Sequence, residues 1–167
     1  MGNILRYILQ IFNYSVFMAV MWYFSVAPAY NHFDPEQAMI VLSFGHAGQL
    51  VEECKQRTPE ELAALPPNMR TPTVCPRQRS PLDVELIIDG KLLLQKSFQP
   101  GGLSGDWGVD IYQEFKVPTG QHYLEVRLKD SVRIKDFNYM FTQDVELKSA
   151  QLLVIDFRPD EGGFILK

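Results

Sequence analysis

The chain has 167 residues, of which 46% are hydrophobic and 22% charged, and a formal net charge of −4 at pH 7. With no basic stripe to release counterions from phosphates, this mildly acidic balance argues against nucleic acid as a partner. The length allows one ordinary domain beside a membrane segment, and no room for two.

The apolar stretch from Tyr7 to Val26 comes first in the chain and is not repeated. It is about long enough to cross a bilayer as a helix, so residues 1–30 read as a single transmembrane anchor and residues 31–167 as one outer domain. The N-terminal amine and Arg6 are the only positive charges before the stretch. Asp34 and Glu36 follow it, and no Lys or Arg appears again until Lys55. That asymmetry predicts a cytoplasmic N-terminus and an exported domain, which is periplasmic in a bacterium with an inner membrane. Trp22, Tyr23 and Tyr30 suit an aromatic belt at the outer interface.

The rival reading is a signal peptide cut at Ala27-Pro28-Ala29, which would release a periplasmic binding module. The length of the apolar run, the thin positive n-region and the Pro within the motif argue for retention. Within the anchor, Asn3, Arg6, Gln10 and Asn13 are spaced three, four and three, which places them on one helical face. Asn3 and Arg6 can snorkel to headgroups. Gln10 and Asn13 are harder to explain that way, and unpaired amides in hydrocarbon are costly. The stripe therefore predicts an interface with a second copy or a larger integral membrane protein, the alternative being that it lies at the inner membrane interface.

In the outer domain, Ala38 to Phe44 reads as a buried strand stopped by Gly45-His46-Ala47-Gly48. An irregular insertion over 45–81 follows. Thr58-Pro59-Glu60-Glu61 has the N-cap Thr, first-turn Pro and third-position Glu of a capping box, which predicts a short helix through Ala64. Pro72, Pro76 and Pro81 keep the remainder extended and poor in strands. Cys54 and Cys75 flank this segment in an exported domain, so they are expected to form a disulfide. Closing that loop corresponds to roughly 3 kcal/mol in the chain-entropy model.

From Leu82 the hydrophobic period becomes two. Leu82 to Ile88, Asp89-Gly90 and Leu92 to Phe98 read as one hairpin. Ile111, Phe115 and Val117, then Pro118-Thr119-Gly120, then Leu124, Val126 and Leu128 read as a second. Phe137 to Leu147 and Leu152 to Phe157 follow, with a terminal Phe164-Ile165-Leu166. Inward-facing Gln113 and Gln143 interrupt the alternation and predict a bulge or an exposed edge. Seven or eight short strands at this spacing predict a mainly β fold, an antiparallel immunoglobulin-like β-sandwich with one short inserted helix.

The segments VPTGQHYLEVRLKD and QDVELKSAQLLVIDF resemble the hairpins of PEGA-like and transthyretin-like sandwich modules of bacterial envelopes, without the PEGA tetrapeptide itself. That resemblance implies a noncatalytic envelope module. The stretch SFGHAGQLVEECKQRTPEELAALPPNMR resembles small single-pass proteins encoded alongside bacterial respiratory oxidase components, which implies an accessory role at such a complex.

Sites for chemistry are sparse. His46 sits between glycines and is the best placed of three histidines to bind a ligand or move a proton, against the plainer reading of an exposed ring at a strand end. His32 reads as a headgroup-level polar residue, and His122 has no acidic or thiol neighbour at ligand spacing. A copper site from His32, Met39, His46 and Cys54 matches no compact motif. Gly101 to Gly108 fails the nucleophile-elbow pattern at Asp106 and the P-loop pattern for want of Lys-Ser or Lys-Thr, so Ser104 is not read as a nucleophile. The loop instead presents Trp107, either to a partner or folded back over the sandwich end. Adjacent acids such as Glu52-Glu53, Glu60-Glu61 and Asp160-Glu161 read as solvated surface.

The sequence thus predicts no catalytic, cofactor or metal residues. It predicts a disulfide between Cys54 and Cys75 and interface residues Asn3, Arg6, Gln10, Asn13 and Trp107. The expected function is that of a noncatalytic accessory subunit or assembly factor for a membrane complex. The alternatives are a released binding module and a small metal or redox protein using His46 and the cysteines.

Overall fold

The computed structural model describes residues 2–27, 34 and 36–167; Pro28 and Ala29 of the cleavage motif, Tyr30 and His32 lie outside them. The chain divides into two compact units, Met1–Asp34 and Pro35–Lys167. The first contains helix α1 (Gly2–Val26), 25 residues with none buried. At 1.5 Å per residue it is about 37 Å long, more than the roughly 30 Å hydrocarbon layer of a bilayer. Among the described residues it is the one helix long and apolar enough to cross a membrane, a property that anchors and signal sequences share.

The second unit is a β-sandwich with two four-stranded sheets. One sheet is built from β1 (Gln37–His46), β6 (Val109–Pro118), β9 (Leu152–Arg158) and β10 (Gly163–Leu166), in the order β10-β9-β1-β6. The other is built from β4 (Leu82–Ile88), β5 (Lys91–Phe98), β7 (Gly120–Lys129) and β8 (Tyr139–Leu147), in the order β5-β4-β7-β8. The alternating side chains of the central strands fill the space between the sheets. Ile40, Leu42, Leu82, Leu86, Leu124, Val126, Leu128 and Ile155 are completely buried there. The polar inward positions Gln113 and Gln143 fall on the edge strands β6 and β8, where an inward amide can still reach solvent. Both strands pair without a register shift, so the exposed edge accounts for the interruption in each.

The Asp89-Gly90 hairpin forms as its sequence predicts. Asp89 and Gly90 both have positive φ, 52° and 75°, the geometry of a two-residue I′ turn. The second expected hairpin does not form. β6 pairs with β1 along all ten residues, from Gln37 opposite Pro118 to His46 opposite Val109. Thr119 then donates its N–H to Glu36 O, and the chain crosses to the other sheet, where β7 lies between β4 and β8. Pro118-Thr119-Gly120 is therefore a corner between layers. The turn after β8 does the same. Ala150 N–H donates to Gln37 O and Met39 N–H to Gln151 O, so β9 starts beside the start of β1 and runs parallel to it. All other ladders in the sandwich are antiparallel.

Cys54 and Cys75 are disulfide-bonded. The bridge sits at the base of a two-stranded ribbon of β2 (Lys55–Gln56) and β3 (Thr73–Val74), a short ladder in a segment expected to lack strands. Beyond the ribbon lies α2 (Pro59–Ala64), with both capping-box bonds in place: Glu61 N–H donates to Thr58 Oγ1 at 3.3 Å and Thr58 N–H to Glu61 Oε2 at 2.9 Å. Neither α2 nor the ribbon buries a residue, so covalent and polar ties replace a core. Arg57 supplies several of these, donating to the Thr71 carbonyl and hydroxyl at 3.2 and 3.0 Å.

Candidate interaction sites

On α1, Asn3, Arg6, Gln10 and Asn13 are all exposed. Gly2, Leu5, Arg6, Leu9, Gln10 and Asn13 line one shallow groove along the helix surface, so three of the four stripe residues share a face with small and aliphatic neighbours. The helix has no acidic residue in its first turn and no basic residue in its last. Arg6 is thus the only charged side chain on it. Trp22 and Tyr23 stand exposed near its C-terminal end.

In the sandwich, the end where β1 finishes concentrates the polar chemistry. His46 is the last residue of β1 and faces inward, its ring packed edge-on against Phe157 with centroids 4.9 Å apart. Its Nε2 is 3.0 Å from Asp130 Oδ2, and the two side chains are only 12% and 3% exposed. The expected solvent-exposed strand-end ring is therefore corrected to a largely buried one. The other Asp130 oxygen accepts from Asn138 Nδ2 at 2.9 Å, and Asn138 Oδ1 accepts from Asp130 N–H at 3.2 Å. A carboxylate taken so far from water needs these donors. Tyr139 lies close by; burial first, and the Asp130 charge second, push its phenol above the ordinary value.

Backbone and side-chain bonds lace this end together. Gln49 N–H donates to Asp130 O at 2.8 Å, Ser80 N–H to Gln49 O at 2.7 Å, and Val132 N–H to Ser80 Oγ at 3.1 Å. Arg79 donates to the carbonyls of Gly48 and Asp106 at 3.0 and 3.1 Å. Gly48 is required where it stands, because a Cβ there would lie 2.1 Å from Ser80 O. His46 lies between two depressions. One, of about 570 Å³, is lined by Gly48, Gln49, Glu53, Arg79, Asp130 and Arg133 among others. The other, of about 470 Å³, is lined by Gly45, His46, Ala47, Trp107, Gly108 and Asp110.

Trp107 is 69% exposed and Leu103 fully so. The indole is backed on one side by the loop's own glycines: a Cβ on Gly102 would meet its ring at 3.2 Å. Folding of the loop and presentation of Trp107 thus coexist. Ser104 is exposed, with no hydrogen bond to a histidine among the described residues.

The other candidates disperse. Met39 faces outward on β1 while His46 faces inward, and Cys54 is held in the disulfide, so these two members of the imagined copper set do not join His46. Among the described residues no group of three His, Cys, Asp or Glu side chains gathers at ligand spacing. His122, expected to lack an acidic neighbour, has one brought to it by the fold: its Nδ1 is 2.6 Å from Asp89 Oδ2 and its Nε2 2.9 Å from Pro118 O. Sequence reading missed Asp130, Asn138 and Arg79. Asp130 is 84 residues from His46, and its one local sign is an acid standing just past a strand that otherwise alternates regularly. No family model, curated protein or solved structure matches this chain.

Proposed function

We propose that the chain is a single-pass, noncatalytic accessory subunit or assembly factor of a larger membrane complex. Helix α1 is its permanent tether, with the N-terminus in the cytoplasm and the sandwich in the bacterial periplasm. The observation that carries this reading is the polar face of α1. Gln10 and Asn13 lie well within a 25-residue apolar helix, both exposed and in line with Arg6. Amides at such depth are stabilised by bonding across a helix interface, at about 1 kcal/mol each. The sandwich adds a second contact through Trp107, an exposed aromatic on a firmly laced end. The resemblance to single-pass proteins beside respiratory oxidases makes such an oxidase the first partner to try.

Replacing Gln10 and Asn13 together by Leu should reduce copurification with a membrane partner in mild detergent and leave the sandwich melting transition unchanged. Undiminished copurification would overturn the reading. A mature chain whose intact mass places its first residue at Tyr30, found in the soluble extract, would replace the tethered subunit with a released binding module.

A further inference from the structure

Several acids on and between the sandwich strands have a basic or imidazole partner. Asp83 is 2.9 Å from Lys129 Nζ, Glu125 is 2.6 Å from Arg127, Asp156 is 2.6 Å from Lys167 and Asp89 is bonded to His122. Asp110 differs. It is exposed on edge strand β6 and has no hydrogen-bond or ion-pair partner among the described residues. Its register partner on β1 is Gly45, and a Cβ at position 45 would lie 2.7 Å from Asp110 Oδ1, so a larger residue there would make the carboxylate swing aside.

The same 470 Å³ depression is walled by Trp107. A carboxylate without a counter-charge and an exposed indole in one cleft favour a cation, the first through Coulomb attraction and the second through the ring quadrupole. Among biological cations a guanidinium fits best, because its plane can lie on the indole while its N–H fork engages the carboxylate. His46 also lines the cleft, with its Nε2 bonded to Asp130. Beyond residue 30 the chain holds fifteen basic and twenty acidic side chains, which also favours a basic partner.

We infer that the cleft between Trp107 and Asp110 receives an arginine side chain of the partner protein. This deepens the docking role proposed above and rests on it for the identity of the partner, but the cleft's chemistry can be tested alone.

The chain has two tryptophans, Trp22 and Trp107. In full-length protein carrying Trp22→Phe, held in detergent micelles, Trp107 fluorescence reports the cleft directly. N-acetyl-arginine amide should produce a saturable change, and the neutral isostere N-acetyl-citrulline amide should bind more weakly by about fivefold or more. Asp110→Asn should weaken the arginine probe by a similar factor, whereas Glu114→Gln on the same edge strand should not. No saturable change, equal binding of the citrulline probe, or equal effects of the two substitutions would overturn the inference. Arginine binding lost with copurification intact would sink the cleft alone. Arginine binding intact in a protein without a membrane partner would sink the tethered-subunit reading alone.

Discussion

Asp130 shows how one residue can join strands that are distant in sequence. Its carboxylate receives Asn138, faces His46 and lies beside Tyr139, while its carbonyl holds Gln49. Asp130→Ala would leave buried donors without acceptors, so a loss of about 3 kcal/mol is expected in urea unfolding. Val132→Ala, two residues away and half exposed, should change stability by no more than about 0.5 kcal/mol. Asp89 has a different role at the opposite end of its sheet. The hydrogen bond from His122, followed by that from Tyr123 N–H, holds its carboxyl below the ordinary carboxylate range. Because its folded value is depressed, its contribution is fully present above the unfolded value and is lost as pH falls through the folded one. Asp156, lowered chiefly by Lys167, behaves alike. Replacing Asp89 and Asp156 by Asn should therefore flatten the acid limb of a melting-temperature profile and leave its slope above pH 6 unchanged.

Among the elements, what was legible in the sequence was local. The Asp-Gly turn needs two residues of positive φ, the capping box needs Thr58 and Glu61 three apart, and both chemistries stand in a few adjacent letters. Pairing partners are not local. Pro118-Thr119-Gly120 reads the same whether it closes a hairpin or turns a corner between layers, because the inward parity of Val117 and Leu124 is satisfied either way. The same limit hid the His46–Asp130 contact and the parallel placement of β9. Burial differences along the strands give a direct check. Leu124→Ala on central β7 should cost about 2–5 kcal/mol, while Gln143→Ala on edge strand β8 should be nearly neutral in the same denaturation assay. The insertion is a separate case, since it has ties but no core. Cys54→Ser with Cys75→Ser should open residues 55–74 to trypsin at Arg57 and Arg70 while the sandwich resists, as read by limited proteolysis and intact mass.

In the whole molecule, helix and sandwich are distinct compact units, and composition alone separated them: an apolar run with one charge, then an acidic alternating chain. The sandwich itself is wound so that successive strands change layer four times, and β1, the first strand, lies between β6 and β9. A chain emerging from a ribosome or a translocation channel therefore cannot finish either layer piecemeal. β1 waits with one backbone edge unsatisfied until residues 152–158 arrive, and Phe157, which packs on both Phe44 and His46, comes almost last. A chain cut short before residue 152 would leave β1 with an open backbone edge and the Phe44 and His46 rings uncovered by Phe157.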